Sequence, residues 1–274
     1  MSDGNPHRGQ IEIVGLTRQF SNGTARSEVI ANCDLTINSG MLTVLIGPSG
    51  CGKSTLAKLI AGYDTPTSGR ITIDGRPVTG AGRDRLMVFQ ESALFNWMTT
   101  EANAQFGPRQ TKEGLGAAQR QHVGDLLELV GLKKFAARYP KALSGGMQRR
   151  LEMVRALANS PDLFILDEPF RGLDAMTRAL MQQHFAGMFE ISRRTTLFIT
   201  TEIDEALLLA DRIIVMTNKP MKVAAKLEVD LPRPRTIATL YESERANQIK
   251  ERALELLFPE AMKSFASPAK AVSV

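Results

Sequence analysis

Met41-Leu42-Thr43-Val44-Leu45-Ile46-Gly47-Pro48-Ser49-Gly50-Cys51-Gly52-Lys53-Ser54-Thr55 is the stretch that decides the fold. It opens as a short apolar run that stops at Gly47, as a strand buried on both faces does. From Lys53 to Ala61 the apolar Leu56, Leu59 and Ile60 recur at helical spacing, and Gly62 supplies a stop. Strand, glycine-rich loop and helix thus follow one another directly. Gly47, Gly50 and Gly52 let the backbone turn tightly enough to aim several N–H groups at phosphate oxygens, and the helix start near Lys53 adds its positive end. Lys53 brings a point charge for β- and γ-phosphates, and Ser54 a hydroxyl for Mg²⁺. A merely tight strand-to-helix turn would not need the Lys-Ser pair.

Outward from this stretch the pattern is an alternation. Upstream, Ile11-Glu12-Ile13 and Asp34-Leu35-Thr36-Ile37 read as strands, the second ending at Ser39-Gly40. Downstream, Arg70 to Ile73 with Asp74-Gly75 reads as a strand and tight turn, and Arg85 to Phe89 as a strand ending at Gln90. Residues 91 to about 158 carry no convincing strand but several helical stretches, notably Val123 to Val130 and the segment after Gly146, and read as a helical insertion. Strand signals resume at Asp162 to Leu166, Thr195 to Thr200 and Arg212 to Met216, separated by helical segments 175–191 and 202–210, which predicts a parallel sheet. Val223 to Val229 alternates again. Leu231-Pro232-Arg233-Pro234-Arg235 cannot be helical, Ile237 to Leu257 reads as an amphipathic helix, and residues 258–274 are expected to be loose. No internal repeat is visible.

Composition sets the outer bounds. A chain of 274 residues, 43% hydrophobic and 23% charged, is an ordinary globular protein and not a disordered one. No apolar run approaches the ~18–20 residues needed to cross a bilayer, so the chain is not expected to be a channel itself. Met1 to Gln10 lacks the apolar core and cleavage site of a secretory signal. Cys33 and Cys51 give no disulfide framework, and a crosslink at Cys51 would block the glycine-rich loop, which suits a reducing cytosol. Part of the net charge of +5 lies at Lys219, Lys222, Lys226, Arg233 and Arg235, either a contact for acidic lipid or a solvated face.

Further polar groups sit where a phosphate chemistry would use them. Asp167 closes the apolar run Phe164-Ile165-Leu166, so its carboxylate emerges at the strand's C-terminal edge beside the loop, placed to hold Mg²⁺ through water. Glu168 extends one residue further; taken singly, such acid pairs also serve as helix caps or solvated turns. Ser144-Gly145-Gly146 precedes a helix with Leu151, Val154 and Leu157 on one stripe, and by itself is an N-cap and a flexible turn. What distinguishes it is Leu143 before and Met147-Gln148 after.

The set in this order resembles the ATP-binding subunit of an ABC transporter, over roughly residues 11–257. The resemblance implies an α/β fold: a P-loop NTPase core with a mainly parallel sheet, an antiparallel β subdomain and a helical insertion at about 91–158. The ATPase domain would span 11–230, followed by a 231–274 extension. It implies ATP and Mg²⁺ as cofactors: Gly47, Pro48, Ser49, Gly50, Cys51, Gly52, Lys53, Ser54 and Thr55 around the phosphates, and Ser54, Gln90 and Asp167 toward the metal. Glu168 would polarise the attacking water, and Gln90 would reach metal and water while linking the core to the insertion. Phe20 stands where an aromatic stacks on adenine, although it could equally be a core residue. Ser144, Gly145, Gly146 and Gln148 would bind the γ-phosphate of ATP held by a second subunit, and Asp174 fits the loop that reports one site's state to the other, with a turn aspartate as the plain alternative. One position departs from the family. In Thr200-Thr201-Glu202-Ile203-Asp204-Glu205-Ala206, Thr201 stands where the switch histidine belongs. Either turnover is slow, or another group compensates, or a partner's site does more of the work.

Asp74-Gly75-Arg76-Pro77-Val78-Thr79-Gly80, Asp84-Arg85, Val88-Phe89-Gln90, Trp97, Glu168-Pro169-Phe170, Ile203 to Ala206 and Leu231 to Arg235 are similar to the nitrate, sulfonate and taurine importer subfamily. That implies a peripheral subunit on the cytoplasmic membrane face, expected as a homodimer, powering two permease subunits fed by an external solute-binding protein. Thr201 keeps a weakly hydrolytic regulatory module open as an alternative. An ABC ATPase acting on nucleic acid is disfavoured, since the chain has no long coiled-coil insertion and no basic-aromatic stripe. Leu94, Phe95, Trp97 and Met98 crowd apolar groups after Gln90, as a partner surface or as the cap of the insertion's own core.

Overall fold

A computed structural model of the chain describes residues 8–22, 25–91, 93–110, 114–159 and 161–266. Two sheets organise it. An antiparallel sheet takes β1 (Ile11–Asn22), β2 (Ala25–Ile37), β4 (Ser68–Ile73) and β5 (Arg76–Pro77) in the order β2-β1-β4-β5. The larger sheet takes β3 (Leu42–Ile46), β6 (Arg85–Val88), β7 (Leu163–Asp167), β8 (Thr195–Ile199), β9 (Arg212–Met216) and β10 (Val223–Glu228) in the order β10-β9-β3-β8-β7-β6, parallel except for β10 on its edge. Every residue of β3, β7 and β8 is buried, which explains why their sequences are continuous and not alternating.

Helix α1 (Lys53–Ala61) lies between the sheets, where Leu56, Leu59 and Ile60 join Ile11, Leu35 and Ile37 of one sheet and Leu45, Ile165 and Ile199 of the other in a common core. On the opposite face of the large sheet, α5 (Ala175–Ser192), α6 (Ile203–Leu209) and α8 (Glu244–Ala266) bury a second core around Phe170, Phe185 and Phe198. Helices α2 (Thr100–Arg109), α3 (Ala117–Leu129) and α4 (Gly145–Leu157) close a third around Val123, Leu127, Leu143, Leu151 and Val154. The architecture is the α/β class expected, with the helical run between β6 and β7.

Three local differences have physical causes. The first strands are far longer than Ile11-Glu12-Ile13 and Asp34 to Ile37, because register shifts around Leu16 and Arg18 break the alternation that reveals a strand. The C-terminal helix divides into α7 (Ile237–Glu242) and α8 at Ser243. The loose tail is corrected over 258–266: α8 runs on through Pro259, and Glu260 Oε2 accepts the Asn218 N–H at 2.8 Å, pinning the last turns to the loop after β9. Residues 267–274 lie outside the described ones. The basic tail is also partly internal. Arg233 pairs with Asp211 at 2.8 Å and Glu190 at 3.0 Å, and Arg235 donates to the carbonyls of Leu207, Ala210, Val229 and Leu231, so neither is a free lipid contact.

Candidate functional site

The order β3-β8-β7-β6 brings together segments that are far apart in sequence. These strands are parallel, and Leu45 is level with Ile199, Ile199 with Asp167, and Leu166 with Val88. At about 4.8 Å between neighbours, the chain leaving β3 at Gly47, β8 at Thr200-Thr201, β7 at Asp167-Glu168 and β6 at Phe89-Gln90 forms one row along the carboxyl edge. Open parallel sheets bind ligands at that edge.

In the loop after β3, Gly50 has φ 75° and Gly52 φ 126°, conformations that favour glycine. Lys53 is buried and its Nζ donates to the carbonyls of Gly47 at 2.8 Å and Pro48 at 3.0 Å, so the ammonium sits inside the loop's own curl. Pro48, Ser54 and Thr55 are half-buried, while Ser49 and Gly50 are exposed at the rim. Cys51 is buried, and burial pushes its thiol above the usual range, so it is packing and not a nucleophile.

Asp167 is buried and its Oδ1 has no hydrogen-bond partner. Burial pushes its carboxyl up; the neighbouring Ser54 hydroxyl pulls it back and the Glu168 charge pushes it up further. An orphaned carboxylate oxygen beside a hydroxyl fits a small hard cation that keeps water and phosphate oxygens as its other ligands. Among the described residues no cluster of three or more His, Cys, Asp or Glu could hold a metal alone. Glu168 holds φ 46°, a left-handed backbone rare for a residue with a side chain. Its Oε2 takes the Arg171 guanidinium at 2.8 Å.

Thr201 is exposed and lines a cavity of about 170 Å³ with Ser49, Glu168, Phe170, Arg171, Arg178, Thr200, Glu202 and Glu205. The two guanidiniums here were not singled out from the sequence, and Arg178 Nε is buried without a partner. Glu205 is held by Gln182 at 2.7 Å, with burial pushing its carboxyl up. Arg171 also lines a neighbouring cleft with Gln90, Gly145, Gln148, Arg149 and Gly172. Gln90 and the start of α4 therefore face each other across open space.

Other expected residues already have structural tasks. Ser144 caps α4 through the Met147 N–H at 3.3 Å, leaving Gly145 exposed. The Gln148 amide donates to the carbonyls of Pro140 at 2.9 Å and Leu143 at 3.2 Å, bracing the approach to α4. Asp174 caps α5 through the Thr177 N–H at 3.0 Å, and bonds with Thr177 hold its carboxyl below the usual range. Phe20 lies on the antiparallel sheet, 42% exposed, with Arg18 stacked 4.4 Å from its ring centre. Its strand partner Ser27 is two residues, about 7 Å, before Val29, the side chain nearest Gly52. The segment after Gln90 divides: Phe95 packs 4.6 Å from Phe106 and is clasped by Asn103, whereas Trp97 is 72% exposed.

A family model described as ABC transporter matches residues 30–171. The nitrate import ATP-binding protein of Synechococcus elongatus is 41% identical over 231 residues, covering 84% of this chain and 84% of that protein. The aliphatic sulfonates import ATP-binding protein of Bacillus licheniformis is 39% identical over 235 residues, covering 85% of this chain and 91% of that protein. Among solved structures, a dimeric post-hydrolysis state of an ATP-binding cassette, bound to ADP and Pi, superposes with a TM-score of 0.73 at 26% identity, covering 81% of this chain and 100% of that one. The chain belongs to the ABC transporter family. It is an ATP-binding subunit of that family, an ATPase, and none of its described helices is long and apolar enough to cross a membrane.

Proposed function

We propose that two copies of this chain hydrolyse ATP between them to drive a membrane permease importing a small nitrogen- or sulfur-containing solute, from the cytoplasmic face. The observation that supports this best is the single row formed along one sheet edge by the 47–53 loop, Asp167-Glu168, Thr201 and Gln90, in a chain that also leaves the helix start at Ser144-Gly145 exposed. The loop N–H groups and Lys53 take the β- and γ-phosphates, and Phe20 offers its ring to the adenine. Ser54 and Asp167, with Gln90 alongside, would hold Mg²⁺, which would supply neutralisation of charge on the phosphates. Glu168 takes the proton of the attacking water at Oε1, its other oxygen being held by Arg171. Thr201 can donate one short hydrogen bond to the γ-phosphate. Ser144, Gly145 and Gly146 of one copy complete the site of the other, Gln148 keeps that helix start in place, and Asp174 sits at the seam.

The cations of Arg171 and Arg178 beside Thr201 favour this hydrolytic reading over a regulatory module. For the permease, the exposed Tyr63 lines a groove of about 160 Å³ with Leu86, Phe89, Ala93 and Arg155, a docking place for a helix of that subunit. The solute class is taken from the relatives' names, because solute contacts lie on the permease and on the external binding protein that delivers to it. Steady-state ATPase assays of the purified chain, with its copurification with a permease, test the reading. It expects Mg²⁺-dependent turnover that is lost in Glu168→Gln and stimulated when the permease is present; an inactive chain that purifies alone would overturn it.

A further inference from the structure

Arg149 lies four positions after Gly145, one turn or about 6 Å into α4, and is buried inside the protein at 7% exposure. A guanidinium carries several donors in a fixed fork and cannot shed its charge. This one uses them on separate segments. Its Nη1 reaches Glu152 Oε2 at 2.7 Å and the Phe89 carbonyl at 2.8 Å; Nη2 reaches the Glu168 carbonyl at 3.3 Å; Nε donates to the Pro169 carbonyl. Glu152, 4% exposed, accepts the Ala93 N–H at 2.6 Å with its second oxygen. Arg155, one turn further along α4, donates to the Ala93 carbonyl at 2.6 Å. The chain is thus strung on α4 at Phe89, just before Gln90, and at Ala93, three residues after it, and so is the peptide unit that follows Glu168.

The bond to Glu168 matters because of its backbone. A φ of 46° is not where a glutamate rests, and such a conformation persists only when its surroundings over-determine it. Here the Glu168 N–H is tied to Ile199 O at 2.9 Å on the sheet side, and both carbonyls that follow, Glu168 and Pro169, are gripped by Arg149. Release of that grip lets φ relax and swings the carboxylate. The buried pair is not needed for burial itself, since apolar residues of similar size do that at least as well; its specificity is in what the fork touches.

We propose that Arg149 is the positioning residue of the hydrolytic site: from α4 it sets the backbone of Glu168 and the segment carrying Gln90 together, so that engagement of the Ser144-Gly145-Gly146 helix start is transmitted to the carboxylate that activates water. This rests on the ATPase reading above. Arg149→Lys keeps the buried pair with Glu152 neutral but cannot fork, and Arg149→Gln with Glu152→Gln removes both charges while leaving an acceptor for Ala93. Both variants are expected to keep nucleotide affinity and KM for ATP within about threefold and to lose turnover by tenfold or more. Wild-type turnover in a folded Arg149→Lys protein would overturn the proposal. So would a parallel fall of melting temperature, nucleotide affinity and kcat in both variants, which marks a merely structural pair. A wild-type chain that binds ATP but never hydrolyses it would instead break the ATPase reading beneath.

Discussion

Gly52 and Gly145 each stand at the entrance of a helix, yet their surroundings are opposite. At Gly52 the backbone has φ 126°, and a Cβ would come within 2.9 Å of Val29 Cγ1; at neighbouring Gly47 it would meet Met216 Cβ at 3.1 Å and Cys51 Sγ at 3.3 Å. At Gly145 nothing lies within 4 Å, and φ is not positive. The first helix entrance needs glycine for the chain's own packing. The second has no such need, and its open space is where, on the proposed function, the nucleotide of a second copy would sit. On that reading one half of the site is finished by the fold and the other by a partner.

The sharpest break of this comparison acts on the finished half. Glu168→Gln is expected to lower hydrolysis by about 10²- to 10⁴-fold, because an amide cannot take the water's proton, while ATP still binds. Size-exclusion chromatography with ATP should show this variant accumulating as a dimer; a monomer under conditions where the wild type dimerises would count against a shared site. Lys53→Ala comes next. Losing a charge-assisted contact to the phosphates should weaken ATP by about 10- to 100-fold, read by nucleotide titration, and retained affinity would remove Lys53 from the site.

The glycine pair then tests the contrast itself. Gly52→Ala should cost about 1–3 kcal/mol of stability through forced backbone strain, visible as a lower melting temperature without nucleotide. Gly145→Asp should do the reverse in the free chain, since an acid in the first turn of a helix contributes about 0.3–1 kcal/mol. On the proposed function the same charge would face the partner's phosphates, so ATP-dependent dimerisation and turnover should collapse. A Gly145→Asp chain that melts early would show that Gly145 is needed by its own subunit after all.

The same contrast governs what could be read from the chain. The finished half was legible because each part is local: β3, β7 and β8 are short apolar runs, and each ends on the residues that the chemistry uses. The exposed start of α4 was legible only through its motif. Arg149 and Glu152 were not legible at all, because an i,i+3 pair of opposite charges on a helix ordinarily belongs to a solvated face, and only the tertiary approach of Phe89, Glu168 and Pro169 buries it. Arg171 was hidden for a related reason, since its partner Glu168 already carried a role. The extent of β1 and β2 was lost to bulges, and the last turns of α8 to Pro259, whose helix-stopping signal is overridden by the Glu260 bond to Asn218.

The smallest expected effect concerns Thr201. If this position alone supplied the donor at the γ-phosphate, replacing a threonine by histidine should recover the roughly 10²- to 10³-fold that one preorganised donor contributes to turnover. The cavity around Thr201 already holds the guanidinium of Arg171, bonded to Glu168 at 2.8 Å, and that of Arg178 with its Nε unpaired. On the proposed function a cation therefore already lies where charge would leave with the phosphate, and a second one would add little. Thr201→His in the native background should change kcat by less than about threefold. Arg171→Gly should lower kcat about tenfold, and Thr201→His should then restore much of that loss, a coupling that a double-mutant cycle reads directly. If Thr201→His alone raises turnover a hundredfold, the arginines are not substitutes and the native site is a slow one. If Arg171→Gly leaves kcat untouched, its bond to Glu168 is a surface ion pair of the ordinary weak kind, and the donor for the departing phosphate must come from Arg178 or from across the seam.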